Sequence, residues 1–595
     1  MLKILTSIFA VIGLLITLLI AAGIGGALYY QDAEVKEPDA VVLSLDFDQP
    51  VVEQIEPTPL EMAFAQNPTS LYDIINAIDK AKLDPHVKGI VAHFDDTQPS
   101  LTQSQEVRAA LARFRESGKF TYAYGPSYGS FGQGNASYFL ASSFENIWLQ
   151  PVGSVSLTGV AVQSPFAKAA LDKVGVQGDF MQREEYKSVM EMFTRDDFSP
   201  PVKVEMQALV EDLAQQIAGG IAESRHWDIE HVKNLMTEGP YTDEEALNAG
   251  LITHIGYRDE LKNEIDNKAG LNSKFVNVDD YLAFKEPDDK KPTNATHVAY
   301  IHGTGLIANK AGGSGGLSGE HVMGANDIAD AFDAAADDKK IRAIVFRVDS
   351  RGGSPEASET IRRAVVHAQL KGKPVIVSMG DVAASGGYWV AMNANRIIAN
   401  PGTLTGSIGV VGGKFVVGGL AQKLGVNFET IKSTENAGIW SMVDGFSVPQ
   451  RARVNALLDQ TYQAFIKNVA AARKIPLETM PEIAKGRVWT GTQAIKVGLV
   501  DELGGFDVAM KAVRKNLNLT DTDLILLDEF PAPVSPAEKI IKLLKGFGVE
   551  SSFIGNVLSQ LHVLSMTLAT LCGQLSIFDQ PALTQLPAGF MKITR

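Results

Sequence analysis

Two stretches of the chain carry the same alternation of apolar and polar positions. In DIINAIDKAKLDPHVKGIVAHFDD, from Asp73, the apolar residues Ile74, Ala77, Ile78 and Ala81 recur at the spacing of one helical face. In DIADAFDAAADDKKIRAIVFRVDS, from Asp327, the same places hold Ile328, Ala331, Phe332 and Ala335. Each stripe predicts an amphipathic helix. Each is followed by a short apolar, β-branched run, VKGIVAHF or IRAIVFRV, that reads as a buried strand.

The correspondence continues downstream. YFLASSFENIWLQPVGSVSLTGV, from Tyr138, aligns with YWVAMNANRIIANPGTLTGSIGV, from Tyr388, and YTDEEALNAGLI, from Tyr241, aligns with WTGTQAIKVGLV, from Trp489. The offset drifts only from 254 to 250 to 248 residues, as short loop insertions and deletions would make it. A match of this length in steady register is a tandem duplication. Strands alternating with helices make each copy an α/β unit. The copies are expected at residues 40–290 and 296–530, joined by the polar stretch FKEPDDKKPTNATH, Phe284 to His297.

The two ends follow other patterns. After Lys3, residues Ile4 to Gln31 are uncharged and mostly apolar. About 20 apolar residues cross a bilayer, whereas a cleavable signal carries an apolar region of about 7–15. Residues 1–31 are therefore expected to be a transmembrane anchor, with a cleaved signal as the other reading. Lys3 and the α-amino group before the run, with Asp32, Glu34, Lys36 and Glu37 after it, favour an N-terminus inside and the bulk of the chain outside the cytoplasm. In the tail, 535–595, Ile554, Val557, Leu558, Leu561, Leu564, Leu568, Leu571 and Leu575 keep helical spacing, interrupted by Asn556, Ser559, Gln560 and His562. That predicts an amphipathic helix, docked on protein or lying at a membrane surface. Net charge of −15 argues against nucleic acid as a partner, because a phosphate-binding face needs an excess of Lys and Arg. With a single cysteine, Cys572, neither an internal disulfide nor a thiolate zinc site can form.

The copies differ where chemistry is possible. Ser385, Gly386 and Gly387 stand opposite Asn135, Ala136 and Ser137, and Arg351, Gly352 and Gly353 stand opposite Thr97, Gln98 and Pro99. Ser385 falls at a predicted strand-to-helix junction, where two readings stand. It caps the helix, or it is a nucleophile whose oxyanion would meet the Gly386 amide. A second donor would come from the glycines of DSRGGS, Asp349 to Ser354. A nucleophilic serine needs a base. No histidine lies between His367 and His562, while His302 and His321 stay open. The other solution is a neutral lysine, which requires a pKa lowered by roughly 2 to 3 units, or about 3 to 4 kcal/mol.

AASGGY at Ala383–Tyr388, TGSIGV at Thr405–Val410 and YKS at Tyr186–Ser188, on a duplicated chain behind an apolar N-terminus, resemble the long, duplicated form of the signal peptide peptidase A (protease IV) family. The resemblance covers about residues 40 to 530. It implies a ClpP/crotonase-type fold and a Ser-Lys dyad. Ser385 would be the nucleophile, Lys187 the general base and Ser407 the group orienting the lysine, with the Gly386 and Gly353 amides as oxyanion hole. Opposite Lys187 the second copy has about Glu435, so one copy supplies the serine and the other the lysine. Glu184 and Glu185 would then have to point away from the amine. Where the family reads Ser-Pro-Gly-Gly this chain has Ser350, Arg351, Gly352 and Gly353, which predicts a looser loop. The resemblance further implies a serine endopeptidase without cofactor or metal, acting on apolar peptides such as cleaved signal peptides. It places a homotetramer at the lipid of the bacterial inner membrane, with the catalytic part in the periplasm. The competing readings are a crotonase-like acyl-CoA enzyme and a non-catalytic membrane scaffold.

Overall fold

The computed structural model describes residues 38–53, 68–95, 97–130, 132, 134–270, 273–285, 295–310 and 321–531. The N-terminal apolar run and the C-terminal tail lie outside them. Among the described residues no helix is long and apolar enough to cross a membrane.

Both predicted helices form, Leu71–Leu83 and Ala325–Asp337, and bury every residue of their stripes. The apolar runs after them become the strands Val87–Phe94 and Ile341–Ser350. Each strand lies inside a parallel sheet with helices on its faces, which is why its sequence is a near-continuous apolar run. The first sheet runs in the order His254–Ile255, Asn146–Leu149, Phe120–Gly125, Val87–Phe94, Val41–Phe47, Lys274–Asn277, all pairs parallel. The second repeats that order as Glu502–Leu503, Arg396–Ala399, Val375–Ala384, Ile341–Ser350, Thr296–Thr304, Ile525–Glu529. The duplication thus extends to topology. It reaches single hydrogen bonds as well: the hydroxyl of Tyr138 donates to the Leu251 carbonyl and that of Tyr388 to the Leu499 carbonyl, at 2.7 and 2.9 Å. Two large apolar cores result, one from residues between Val41 and Tyr281, the other between Ala299 and Val500. At the junction, helix Val278–Lys285 enters the expected linker and strand Thr296–Thr304 begins before its end.

In the second sheet Val375–Ala384 also pairs with Leu404–Gly406, which pairs antiparallel with Val488–Thr490. The first repeat has a shorter counterpart in the Tyr128–Val155 bridge and the antiparallel pair Ser154–Val155 with Tyr241–Thr242; the two differ in what comes next. Beyond Leu404–Gly406 the chain enters the strand Val410–Val416, which pairs antiparallel with Gln177–Arg183 of the first repeat. This ladder of seven residue pairs, from Val410–Arg183 to Val416–Gln177, ties the repeats together. A buried ion cluster does the same on another face. The Arg347 guanidinium, fully buried, donates to Glu53 (2.7 Å) and Glu106 (2.8 Å) of the first repeat and to Ser378 Oγ (2.8 Å). Its charge is paired and hydrogen-bonded on three sides, as burial of a guanidinium requires.

Candidate active site

Ser385 ends strand Val375–Ala384, and helix Gly386–Ala391 starts at the next residue. Its φ of 57° and ψ of −118° are sterically costly for a residue with a Cβ. Such a conformation persists only where its surroundings over-determine it. Two of those constraints are visible: the Ser385 amide donates to the Gly406 carbonyl (2.9 Å), and its carbonyl accepts from the Trp389 amide (2.9 Å). The side chain makes no helix-capping hydrogen bond, so the capping reading does not hold.

The loop carrying Gly352 and Gly353 lies directly against this turn. A Cβ on Gly352, whose φ is +101°, would come 2.6 Å from the Gly386 amide nitrogen and 2.9 Å from Ser385 Cβ. A Cβ on Gly386 would come 3.1 Å from the Gly353 nitrogen. The approach therefore requires Gly352 as much as the predicted Gly353. Among the described residues neither the Gly353 nor the Gly386 N–H donates a hydrogen bond to a backbone carbonyl. The loop around Arg351 is tied down by hydrogen bonds on both sides. Ser350 Oγ donates to the Gly305 carbonyl (2.6 Å) and accepts from the Gly352 amide (3.1 Å). Ile307 donates to the Gly352 carbonyl and accepts from Ser354, at 3.0 and 2.9 Å. Arg351 itself is exposed.

Lys187 arrives from the first repeat, four residues beyond Arg183 at the end of the inter-repeat ladder, while Ser407 lies three residues before Val410. Their encounter is thus fixed by strand register. The lysine Nζ donates to Ser407 Oγ (2.8 Å) and to the Ser407 carbonyl (2.9 Å). Residues 485–487 hold the arrangement from behind. The Tyr186 amide donates to the Lys485 carbonyl (3.1 Å) and the Ser407 amide to the Arg487 carbonyl (2.7 Å). Gly486 leaves room, since a Cβ there would fall 2.5 Å from the backbone nitrogen of Lys187. Ser385 is bonded to Gly406, and Lys187 to the residue after it. The backbone of Ser385 and the amine of Lys187 are thus both anchored on the turn Gly406–Ser407.

Lys187 is 7% exposed. Burial among apolar groups pushes its amine down to about 7, opposed only by the attraction of Glu205. Glu185 is engaged elsewhere, accepting from Lys485 Nζ (2.9 Å), as the sequence reading required of it. Glu205 is the residue that reading missed. It is 1% exposed on helix Pro200–Arg225. Its Oε1 accepts the Val488 amide (2.5 Å), and Oε2 is buried without a hydrogen-bond partner among the described residues. Burial raises its carboxyl to about 7, against the pull of the Val488 amide, Arg487 and Lys187. Val202, Glu205 and Leu209 fall on one helical face and all three are buried, but that spacing alone does not single the face out in the sequence.

His302 lies level with Arg347 and Ser378 in the ladder. Seven residues separate Ser378 from Ser385, roughly 20 Å of strand. His321 is exposed and makes no side-chain hydrogen bond among the described residues.

The sequence pattern of peptidase family S49 matches residues 114–272 and 367–520, one segment in each repeat. The first contains Lys187, and the second contains Ser385, Gly386 and Ser407. Protease 4 of Salmonella typhi is 36% identical over 458 residues, 74% of this chain and 71% of that protein. Protease 4 of Haemophilus influenzae is 31% identical over 76% of this chain and 73% of its own. The chloroplastic serine protease SPPA of Arabidopsis thaliana is 30% identical over 80% and 69%. Among solved structures, a point mutant of ClpP1 from Listeria monocytogenes overlaps 38% of this chain and 99% of its own at 15% identity and a TM-score of 0.23, too slight a likeness to argue from. Similarity carried through both repeats and over most of the chain makes this protein a serine peptidase of family S49.

Proposed function

We propose that the chain is a membrane-anchored endopeptidase of ClpP/crotonase type that cuts apolar peptides, cleaved signal peptides among them, with a Ser-Lys dyad split between its repeats. One observation carries this reading: a lysine amine buried to a pKa of about 7 is held on Ser407, next to the residue that binds the Ser385 amide. Neutral Lys187 takes the proton of Ser385 Oγ as that oxygen bonds to the scissile carbonyl carbon. The carbonyl oxygen gains the charge, and the Gly386 and Gly353 N–H groups are placed to receive it. The protonated lysine then returns its proton to the leaving amine as the C–N bond breaks. Water repeats the cycle on the acyl-serine, releasing acid and restoring the hydroxyl. Ser407 fixes the amine direction through both acceptors it offers. The apolar N-terminal run supports placement at the bacterial inner membrane with the catalytic part outside the cytoplasm, where apolar peptides are released in the lipid.

The test is hydrolysis of a fluorogenic apolar peptide by the native chain, Ser385→Ala and Lys187→Ala, with mass spectrometry of the acylated protein. Retained turnover in either variant ends the dyad reading.

A further inference from the structure

The strand that delivers Ser385 is interrupted just before it. Val375–Ala384 and Ile341–Ser350 keep one register up to Val348–Met379, and the next pair is Ser350–Ala383. Asp349 therefore faces three residues, Gly380, Asp381 and Val382. The matching ladder of the first repeat runs unbroken from Gly89–Phe120 to its end at His93–Tyr124. Bulges beside active sites re-aim the side chain that follows them.

Two carboxylates hold this bulge. Asp349 Oδ1 accepts from the Val382 amide (2.9 Å). Gly380 makes room for that side chain, since a Cβ there would lie 3.0 Å from Asp349 Cβ. The Asp349 carbonyl accepts from the Gly305 amide (2.9 Å), and Oγ of the next residue, Ser350, accepts from the Gly352 amide (3.1 Å). The carboxylate thus sits at the root of the loop that carries Gly353. The second carboxylate is gripped by the first repeat: the hydroxyls of Ser100 and Thr102 both donate to Asp381 Oδ1. Ser100 is the N-cap of helix Leu101–Arg115, whose positive end favours an anion there.

This crowding works against stability. Burial pushes the Asp349 carboxyl up to about 6, opposed by the Val382 amide and Arg347 and reinforced by the charges of Glu53 and Asp381. Local rules are broken in this way at functional sites. Docking of the helix does not depend on Asp381. Glu106 accepts from Arg347 (2.8 Å), Gln105 accepts from the Gly402 amide (3.0 Å), and Arg113 reaches Asp507 (3.1 Å).

We infer that Asp349 and Asp381 are positioning residues of the peptidase, which fix the bulge Gly380–Val382 and so set Ser385 against the Gly353 loop. Both act through the backbone. Asp381 also makes that setting depend on the first repeat, by a route separate from Lys187. The inference rests on Ser385 as the nucleophile.

The test is peptide hydrolysis by the full chain, well below the melting temperature, with Ser385→Ala as control. Asp381→Ala and Asp349→Ala should each lower kcat about 10- to 100-fold and leave KM within about twofold, as a misplaced nucleophile does. Asp381→Asn and Asp349→Asn keep the acceptor oxygen and should return kcat to within about threefold of native. Thr102→Val removes one hydroxyl at a buried position and spares the Ser100 cap. It should lower kcat about three- to tenfold alone and add nothing to Asp381→Ala. Native kcat in the alanine variants, a loss confined to KM, or no rescue by asparagine would overturn the inference. Should an alanine variant lose its melting transition, Thr102→Val decides, and native kcat there refutes the coupling. Turnover retained in Ser385→Ala would end both this inference and the dyad reading. Native kcat in Asp381→Ala beside an inactive Ser385→Ala would end this one alone.

Discussion

The two strand-to-helix turns, at Ser385 and at Asn135, occupy the same place in two copies of one fold and do different work. At the first, the serine is held in a costly backbone conformation by its amide and carbonyl, and its hydroxyl makes no hydrogen bond among the described residues. At the second, Asn135 spends its side chain on closing its own turn. Its Nδ2 donates to the Gly159 carbonyl (2.7 Å), and its Oδ1 accepts from the Thr158 and Gly159 amides, both at 3.1 Å. Leu157, fully buried, stands where Ser407 binds the lysine. The residues aligned with Lys187 fall between Glu435 and Ala437, and none of them carries an amine. A shared scaffold thus supports either a turn whose polar side chain is consumed locally or one that leaves its hydroxyl over, the turn proposed to be reactive.

The largest effect that could break this contrast is loss of the reactive groups. Ser385→Ala and Lys187→Arg should each lower kcat/KM by about 10³-fold or more, since a guanidinium does not deprotonate. Adding Asn135→Ser to Ser385→Ala should restore nothing, because that turn lacks a lysine and its strand pairing. Peptide turnover above background in that double variant would erase the distinction between the repeats. A smaller loss, about 10- to 100-fold in kcat, is expected for Ser407→Ala, which keeps the carbonyl acceptor and removes the hydroxyl that aims the amine.

Next comes pH. The base is active when neutral, so kcat/KM should rise with pH through about 7, the value to which burial lowers Lys187. The Glu205 carboxylate favours the ammonium and so raises that value. Glu205→Gln keeps an acceptor for the Val488 amide and removes the charge, so the acid limb should move down by about one pH unit. An unmoved limb would show that Glu205 only packs. The smallest effect belongs to the structural turn. Asn135→Ala leaves the Gly159 carbonyl and two amides without their partner, costing about 1–3 kcal/mol by thermal unfolding. Peptide hydrolysis well below the melting temperature should be nearly native.

The helices at Ile74 and Ile328 were legible because an apolar stripe at helical spacing forces one face inward wherever the helix packs. Ser385 was legible as an exception, a serine retained among glycines in one copy and replaced in the other. Glu205 was not legible. The stripe through Val202 and Leu209 is short, and the apolar Val204 beside it is exposed, so the local pattern does not mark which face turns inward. A single carboxylate in such a stretch reads as solvated. Arg347 was equally hidden, since its partners Glu53 and Glu106 lie 294 and 241 residues away.

By itself the sequence determined the duplication, the helix and strand periodicities, the asymmetry between Ser385 and Asn135, and the glycines that let two loops touch. These follow from local sterics and from the burial of apolar side chains, which act over a few residues. The tertiary structure alone decided that Lys187 meets Ser407, because those residues are 220 apart in the chain and their contact depends on the register of a ladder between the repeats. It also decided the lysine's proton affinity, since desolvation is a property of the whole enclosure rather than of any neighbouring residue in the chain.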